Sequence, residues 1–149
     1  MLSLAKYMET TAPTIAAELR LVVGRLARRV RLSETSGLTP SQLSALVTID
    51  QLGRARLCDV ATAEGVSAPT ATRIVGAIEK LGLVARADDS EDRRATRVAV
   101  TAAGRAALRR IRSSRTAFLQ QRLERLDDAD LAVLRAALPV LAALAEDEL

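Results

Sequence analysis

A mainly α-helical fold carrying one small β-hairpin is predicted by three features of this 149-residue chain. Hydrophobic residues make up 49% of it, yet the aromatic share is 1%, namely Tyr7 and Phe118. The core must therefore be built from Leu, Val, Ile and Ala, and Ala and Leu have high helix propensity. Helix start and stop signals recur along the chain, the clearest being Thr39-Pro40-Ser41-Gln42 and the glycines Gly53, Gly65 and Gly82. Two short apolar runs, Leu83-Val84-Ala85 and Val98-Ala99-Val100, flank a charged loop from Ala87 to Thr96, which is the layout of a hairpin.

The first helix is predicted from Thr14 to about Arg31, where Ile15, Leu19, Val22, Leu26 and Val30 recur at spacings of three and four. Arg20, Arg25, Arg28, Arg29 and Arg31 fall mostly on its other faces. Thr39 caps the second helix, Pro40 takes the first helical position, Gln42 completes a capping box, and Leu38 and Leu43 stand at the staple positions. Leu43, Leu46, Val47 and Ile49 supply its apolar contacts, and Gly53 ends it. A short third helix runs from about Leu57 to Glu64, with Leu57, Val60 and Ala61 toward the core and Gly65 closing it. Ser67 caps a fourth helix, which tolerates Pro69 in its first turn. Ala71, Ile74, Ile78 and Leu81 form its apolar stripe, and Gly82 stops it.

After the hairpin, Thr101 caps a long helix reaching about Arg125, with Leu108, Ile111, Phe118, Leu119 and Leu123 among its apolar residues. Asp127 caps the last helix, with Asp130 at the box position and Leu126 and Leu131 as the staple. Leu131, Leu134, Leu138, Leu141 and Ala145 repeat in a three-four pattern, and Pro139 is expected to kink this helix. Two helices joined by a short Gly-containing turn and followed at once by a hairpin make a winged helix-turn-helix. The expected organisation is one domain over residues 1–149 with a core over 38–101. Within it the helix-turn-helix spans about 56–82 and the wing about 83–100. The flanking helices, 12–35 and 102–149, carry long apolar stripes that either close an intramolecular core or pack across a two-fold axis. The second arrangement is the one expected, because the helix-turn-helix and wing could fold without them.

Composition excludes several function classes. There is no His, which rules out His-containing zinc sites and Ser–His triads. Cys58 is the single cysteine, so an intrachain disulfide is impossible. No apolar run approaches the roughly 18 residues that a membrane span needs, and no cleavable signal pattern is present, so a cytoplasmic, non-enzymatic protein without metal or cofactor is expected. The formal charge is +4 with a pI near 10.2, a modest basic bias. Lys6 and Lys80 are the only lysines among 22 basic residues, a bias that fits a GC-rich genome and a preference for arginine forks equally. Cys58 lies near Arg54 and Arg56, but a plain small residue explains it better than a redox sensor.

The fourth helix carries the most informative face. Pro69, Arg73, Gly76 and Lys80 share one side, with Thr70 and Thr72 flanking it. Hydroxyls and a guanidinium at a helix start suit phosphates and base edges, and Gly76 permits close approach. An ordinary solvated face fits the same residues taken alone, and the adjacent hairpin tips the balance. In that hairpin Asp92 stands two residues before Arg94, where a carboxylate can orient a guanidinium toward a narrow minor groove.

At this point the chain resembles the MarR (multiple antibiotic resistance regulator) family of bacterial transcription factors. The likeness spans nearly the whole length and is strongest from Leu38 to Gly104. It is carried by Leu38-Thr39-Pro40-Ser41-Gln42, Val60-Ala61, Val66 through Arg73, Leu81 through Arg86, Asp92-Arg93-Arg94 and Val98 through Gly104. The resemblance implies a homodimer that binds palindromic double-stranded DNA as a repressor and is released by a small phenolic or lipophilic effector. It maps Ser67, Thr70, Thr72 and Arg73 to the start of the DNA-reading helix and Arg86 to a basic position at the base of the wing. Arg94 becomes the minor-groove arginine and Asp92 its orienting partner, while Arg93 stays open between a phosphate contact and a solvated neighbour. Arg56 replaces a usual capping Thr, which predicts a loosely started third helix, and Glu64 replaces a usual apolar residue, which predicts altered packing at the corner. A winged-helix protein–protein interaction module that does not read DNA is the alternative, and it has no need of both Arg73 and Arg94.

Overall fold

The computed structural model of the chain describes residues 11–88 and 96–146. In chain order they form α1 (Ala12–Leu32), α2 (Pro40–Leu52), β1 (Ala55–Arg56), α3 (Leu57–Glu64), α4 (Ala68–Lys80), β2 (Val84–Asp88), β3 (Thr96–Val100), α5 (Ala102–Leu123) and α6 (Asp128–Ala143). They divide into two compact units, one from Thr35 to Ser113, the other from the segments ending at Glu34 and beginning at Ser114.

In the Thr35–Ser113 unit, α2 starts where its cap predicts. The Thr39 hydroxyl accepts the Gln42 N–H at 3.3 Å, and the Gln42 side-chain carbonyl accepts the Thr39 N–H at 2.9 Å. Two of the helix's orphan donors are thereby satisfied, so Thr39→Ala is expected to cost about 1 kcal/mol in denaturant unfolding. Leu43, Leu46 and Ile49 from α2 are buried, and they meet Val60 of α3 and Val75 and Ile78 of α4. Val84, Val98 and Val100 close the other side of this core from the sheet, and Leu108 and Ile111 bring in the first half of α5.

Several details differ from the sequence reading. The apolar stripe of α4 is Ala71, Val75 and Ile78, with Ile74 partly buried, while Leu81 is 56% exposed. The helix ends at Lys80, so Leu81 has left the helical repeat before it can face the core. The hairpin is part of a three-stranded antiparallel sheet of order β1-β3-β2, in which Ala55 pairs with Val98 and Arg56 with Arg97. A two-residue strand has no period to read, which is why it was not foreseen. Finally, α1 begins at Ala12, two residues before the expected start, with Pro13 accommodated in its first turn.

The start of α3 is held rather than loose. Arg56 offers no acceptor, but its N–H donates to Asp59 Oδ2 at 3.1 Å, which keeps the returning half of a capping box. Glu64 accepts a hydrogen bond from the Thr48 hydroxyl, so α2 and α3 meet there through a polar contact in place of an apolar one.

The second unit contains α1, the end of α5 and α6. Asp127 caps α6 by accepting the Asp130 N–H at 2.8 Å, and Pro139 sits inside the helix. Arg115 on α5 forms an ion pair of 2.8 Å with the buried Glu34 carboxylate just after α1. Neither α1 nor α6 has a fully buried residue. Of the expected α1 stripe only Leu19 and Val30 are half-buried, whereas Val22 and Leu26 stay exposed together with Leu32. On α6, Val133, Leu138 and Val140 are exposed by more than half, as is Leu144 just after it.

Candidate nucleic-acid interface

Both ends of the helix-turn-helix corner are set by backbone chemistry. At the end of α3, Gly65 takes φ +64, and the N–H groups of Gly65 and Val66 bond back to the Thr62 and Ala61 carbonyls at 3.2 and 3.0 Å. At the end of α4, Gly82 takes φ +72, with its N–H bonded to the Glu79 carbonyl at 2.8 Å and that of Leu83 to Ile78 at 3.1 Å. Both are left-handed terminations of the Schellman kind, which a side chain at the glycine would strain. They fix where α4 begins relative to α3 and where the chain leaves for β2.

Ser67 caps α4. Its hydroxyl oxygen accepts the Thr70 N–H at 3.4 Å, and its own proton goes to the Thr70 hydroxyl at 2.9 Å. Burial of Ala71, Val75 and Ile78 turns the opposite face outward, where Pro69, Arg73 and Lys80 are exposed and Gly76 is partly exposed, with exposed Ala68 and Thr72 flanking it on one side. Thr72 donates its hydroxyl proton to the Ala68 carbonyl at 2.9 Å. Arg73 has no hydrogen bond or ion pair among the described residues, so its guanidinium is available to a ligand. The sequence-derived residues Ser67, Thr70, Thr72 and Arg73 thus lie together on the first two turns of α4.

Arg86 lies apart from that group, on β2 opposite Val98. Its Nε donates to Glu79 Oε2 at 2.9 Å, both side chains being about a third exposed (31% and 35%). Such a pair is worth at most about 1 kcal/mol, so its main effect is geometric: it ties the base of the hairpin to the last turn of α4. Arg86 is therefore partly committed within the chain, and Glu79 is a residue the sequence reading missed. Opposite charges seven positions apart across a glycine stop follow no helix or strand period, so no local rule points to the pair. Asp92, Arg93 and Arg94 lie outside the described residues.

The sheet is pinned at its other end by Thr101. Its hydroxyl accepts the Gly104 N–H at 3.0 Å, capping α5, and donates to the Gly82 carbonyl at 2.7 Å. The cap of one helix therefore also closes the terminal turn of another. Beside it, Arg97 of β3 donates to the Arg54 carbonyl at 3.2 Å, supporting the short β1 edge. A cavity of about 270 Å³ opens near this edge, lined by Ile49, Asp50, Gly53, Arg54, Ala99, Val100 and Arg105. Cys58 is exposed, with its thiol 3.7 Å from Asp59 Oδ1. Among the described residues no group of acidic or sulfur side chains could hold a metal ion, and no helix is long and apolar enough to cross a membrane.

Comparison with known proteins agrees with this architecture. The family model described as the MarR family matches residues 38–96, from the start of α2 to the wing. An uncharacterized HTH-type transcriptional regulator of Mycobacterium bovis is 32% identical over 134 residues, covering 89% of this chain and 94% of the relative. The crystal structure of a putative transcriptional regulator from Pseudomonas aeruginosa is 32% identical and superposes with a TM-score of 0.82 over 94% of this chain and 99% of that one. A mutant of S. aureus MepR bound to an oligodeoxyribonucleotide shares the fold at 19% identity, with a TM-score of 0.69 over 93% of this chain and 100% of that one. Fold, cap positions and sequence likeness converge: the chain belongs to the MarR family of winged helix-turn-helix transcriptional regulators.

Proposed function

We propose that this protein is a homodimeric repressor that binds a palindromic operator in double-stranded DNA. The observation that carries the reading is the outward face of α4. It is held on the core by Ala71, Val75 and Ile78, starts at a capped N-terminus, and offers an arginine with no partner among the described residues. Ser67, Thr70, Thr72 and Arg73 would meet the major groove and nearby phosphates. Arg94, oriented by Asp92, would enter the minor groove, while Arg86 and Arg93 would lie along the backbone. That MepR, which shares the fold, has been seen bound to an oligodeoxyribonucleotide supports DNA as the partner.

Dimerisation follows from the second unit. Val22, Leu26 and Leu32 on α1 and Leu138 and Val140 on α6, with Leu144 just after it, leave apolar side chains in water. A second copy would cover them and set two α4 helices on half-sites about one helical turn apart. Release by a small effector belongs to the same reading. The cavity near β1, where Arg54, Arg105 and Asp50 stand beside Ile49 and Val100, is a candidate place for such an effector.

The test is selection of duplexes from a random or genomic pool, followed by titration of the best site at several salt concentrations. A palindromic site bound by a dimeric mass is expected. Its affinity should fall by roughly a thousandfold or more between 50 and 200 mM salt, as neutralisation of several phosphates requires. Failure to enrich any sequence, or a stable monomer at micromolar concentration, would overturn the proposal.

A further inference from the structure

Resting on the DNA-reading role proposed for α4, we infer that this helix reads its half-site through a thymine 5-methyl group packed against Ala68 and Thr72, beside a guanine taken by Arg73. The inference begins from where the hydroxyl protons go. Thr72 has turned its hydroxyl onto the helix's own backbone, donating to the Ala68 carbonyl at 2.9 Å. A threonine bonded back to the residue four before it has spent its only donor. Thr72 is nevertheless exposed, so it has no donor for a ligand and offers its Cγ2 methyl group beside an oxygen that can only accept.

Its neighbours on the same face carry no polar side-chain atoms. Ala68, one turn earlier, presents a methyl group, and Pro69 presents its ring. Thr70 is half-buried at the start of the helix, where its hydroxyl accepts the Ser67 proton at 2.9 Å and keeps its own proton. The residue types that hydrogen-bond adenine (Asn, Gln) or cytosine (Asp, Glu) are absent from the first two turns, Ala68 to Arg73. Beyond the Ser67–Thr70 pair at the cap stands an apolar row, Ala68 and Thr72, next to a row that ends in the Arg73 guanidinium. Small apolar groups match the 5-methyl of thymine, and a guanidinium fork matches the O6 and N7 acceptors of guanine.

The experiment uses the full-length protein and the operator obtained by selection. Each thymine of the half-site is replaced in turn by deoxyuridine, which removes only the 5-methyl group. One thymine per half-site is expected to show about a fourfold loss of affinity, the value of one buried methyl group. Thr72→Val keeps the methyl and discards the hydroxyl, and it should keep this sensitivity. Thr72→Ser keeps the hydroxyl and discards the methyl, and it should lose most of it. Replacing the neighbouring guanine by 7-deazaguanine should weaken wild type but not Arg73→Ala. Uracil-insensitive binding throughout the half-site overturns the inference while leaving DNA reading intact. So does retention of the thymine preference in Thr72→Ser together with its loss in Thr72→Val, which would make the hydroxyl the reader. If no duplex is enriched at all, the DNA-reading role falls and this inference with it.

Discussion

Replacing Gly104 by alanine is expected to lower the unfolding free energy by roughly 3 kcal/mol, the upper end of what overpacking costs. A Cβ at this position would stand 2.1 Å from the Leu83 carbonyl oxygen and 2.6 Å from Val100 Cγ1. Side chains can rotate away from such a clash, but this oxygen is backbone and doubly constrained. It accepts the Thr101 N–H at 3.0 Å, and the Leu83 N–H is itself bonded to the Ile78 carbonyl in the terminal turn of α4. Moving it would disturb the cap of α5, the end of α4 and the first pair of the β2–β3 ladder together. Alanine's better helix propensity returns only about 1 kcal/mol, so the clash wins. Denaturant unfolding at constant m-value measures the difference, and a loss below about 0.5 kcal/mol would mean the turn yields freely.

Substituting Arg94 by alanine is expected to remove the largest single contribution to operator affinity without affecting the fold. A specific arginine contact is worth about 1–3 kcal/mol, and a two-fold dimer loses it twice, which corresponds to roughly a thirtyfold weakening or more. The salt dependence should also become shallower, since fewer cations are presented to the duplex. Thermal melting and dimeric mass should match wild type, because the core of the described residues is built without Arg94. Asp92→Ala should weaken binding in the same direction and by less, since it removes the proposed orienting partner and leaves the cation. Wild-type operator affinity in Arg94→Ala would remove the wing from the proposed interface.

Much of the fold was legible because its signals are local. The capping box of Thr39 and Gln42, the caps of Ser67, Thr101 and Asp127, and the turns at Gly65 and Gly82 each act within a few residues of chain. The same holds for the buried face of α2, where Leu43, Leu46 and Ile49 repeat at helical spacing. The reading failed where a residue's fate depends on a partner far away in sequence. Leu81 was assigned to a stripe that the end of α4 cuts short, and Val75 takes the central buried place. β1 exists only because β3 offers it an edge more than forty positions later. Arg86 was expected only as a basic position at the base of the wing, and its link to Glu79 comes from the way the turn at Gly82 folds β2 back beside α4.

By itself the sequence determined the helix boundaries near their caps, the hairpin after the helix-turn-helix, and the residue types available to a nucleic-acid partner. These depend on backbone propensity and on side chains bonding to their own neighbours, interactions that need no folded context. Only the tertiary structure decided which donors are still unspent. It paired Arg86 with Glu79 and left Arg73 without a partner among the described residues. It also decided that Gly104 must be glycine, because a backbone oxygen from another element occupies the space of its missing side chain. Those outcomes are set by packing between elements distant in sequence, and no local pattern encodes them.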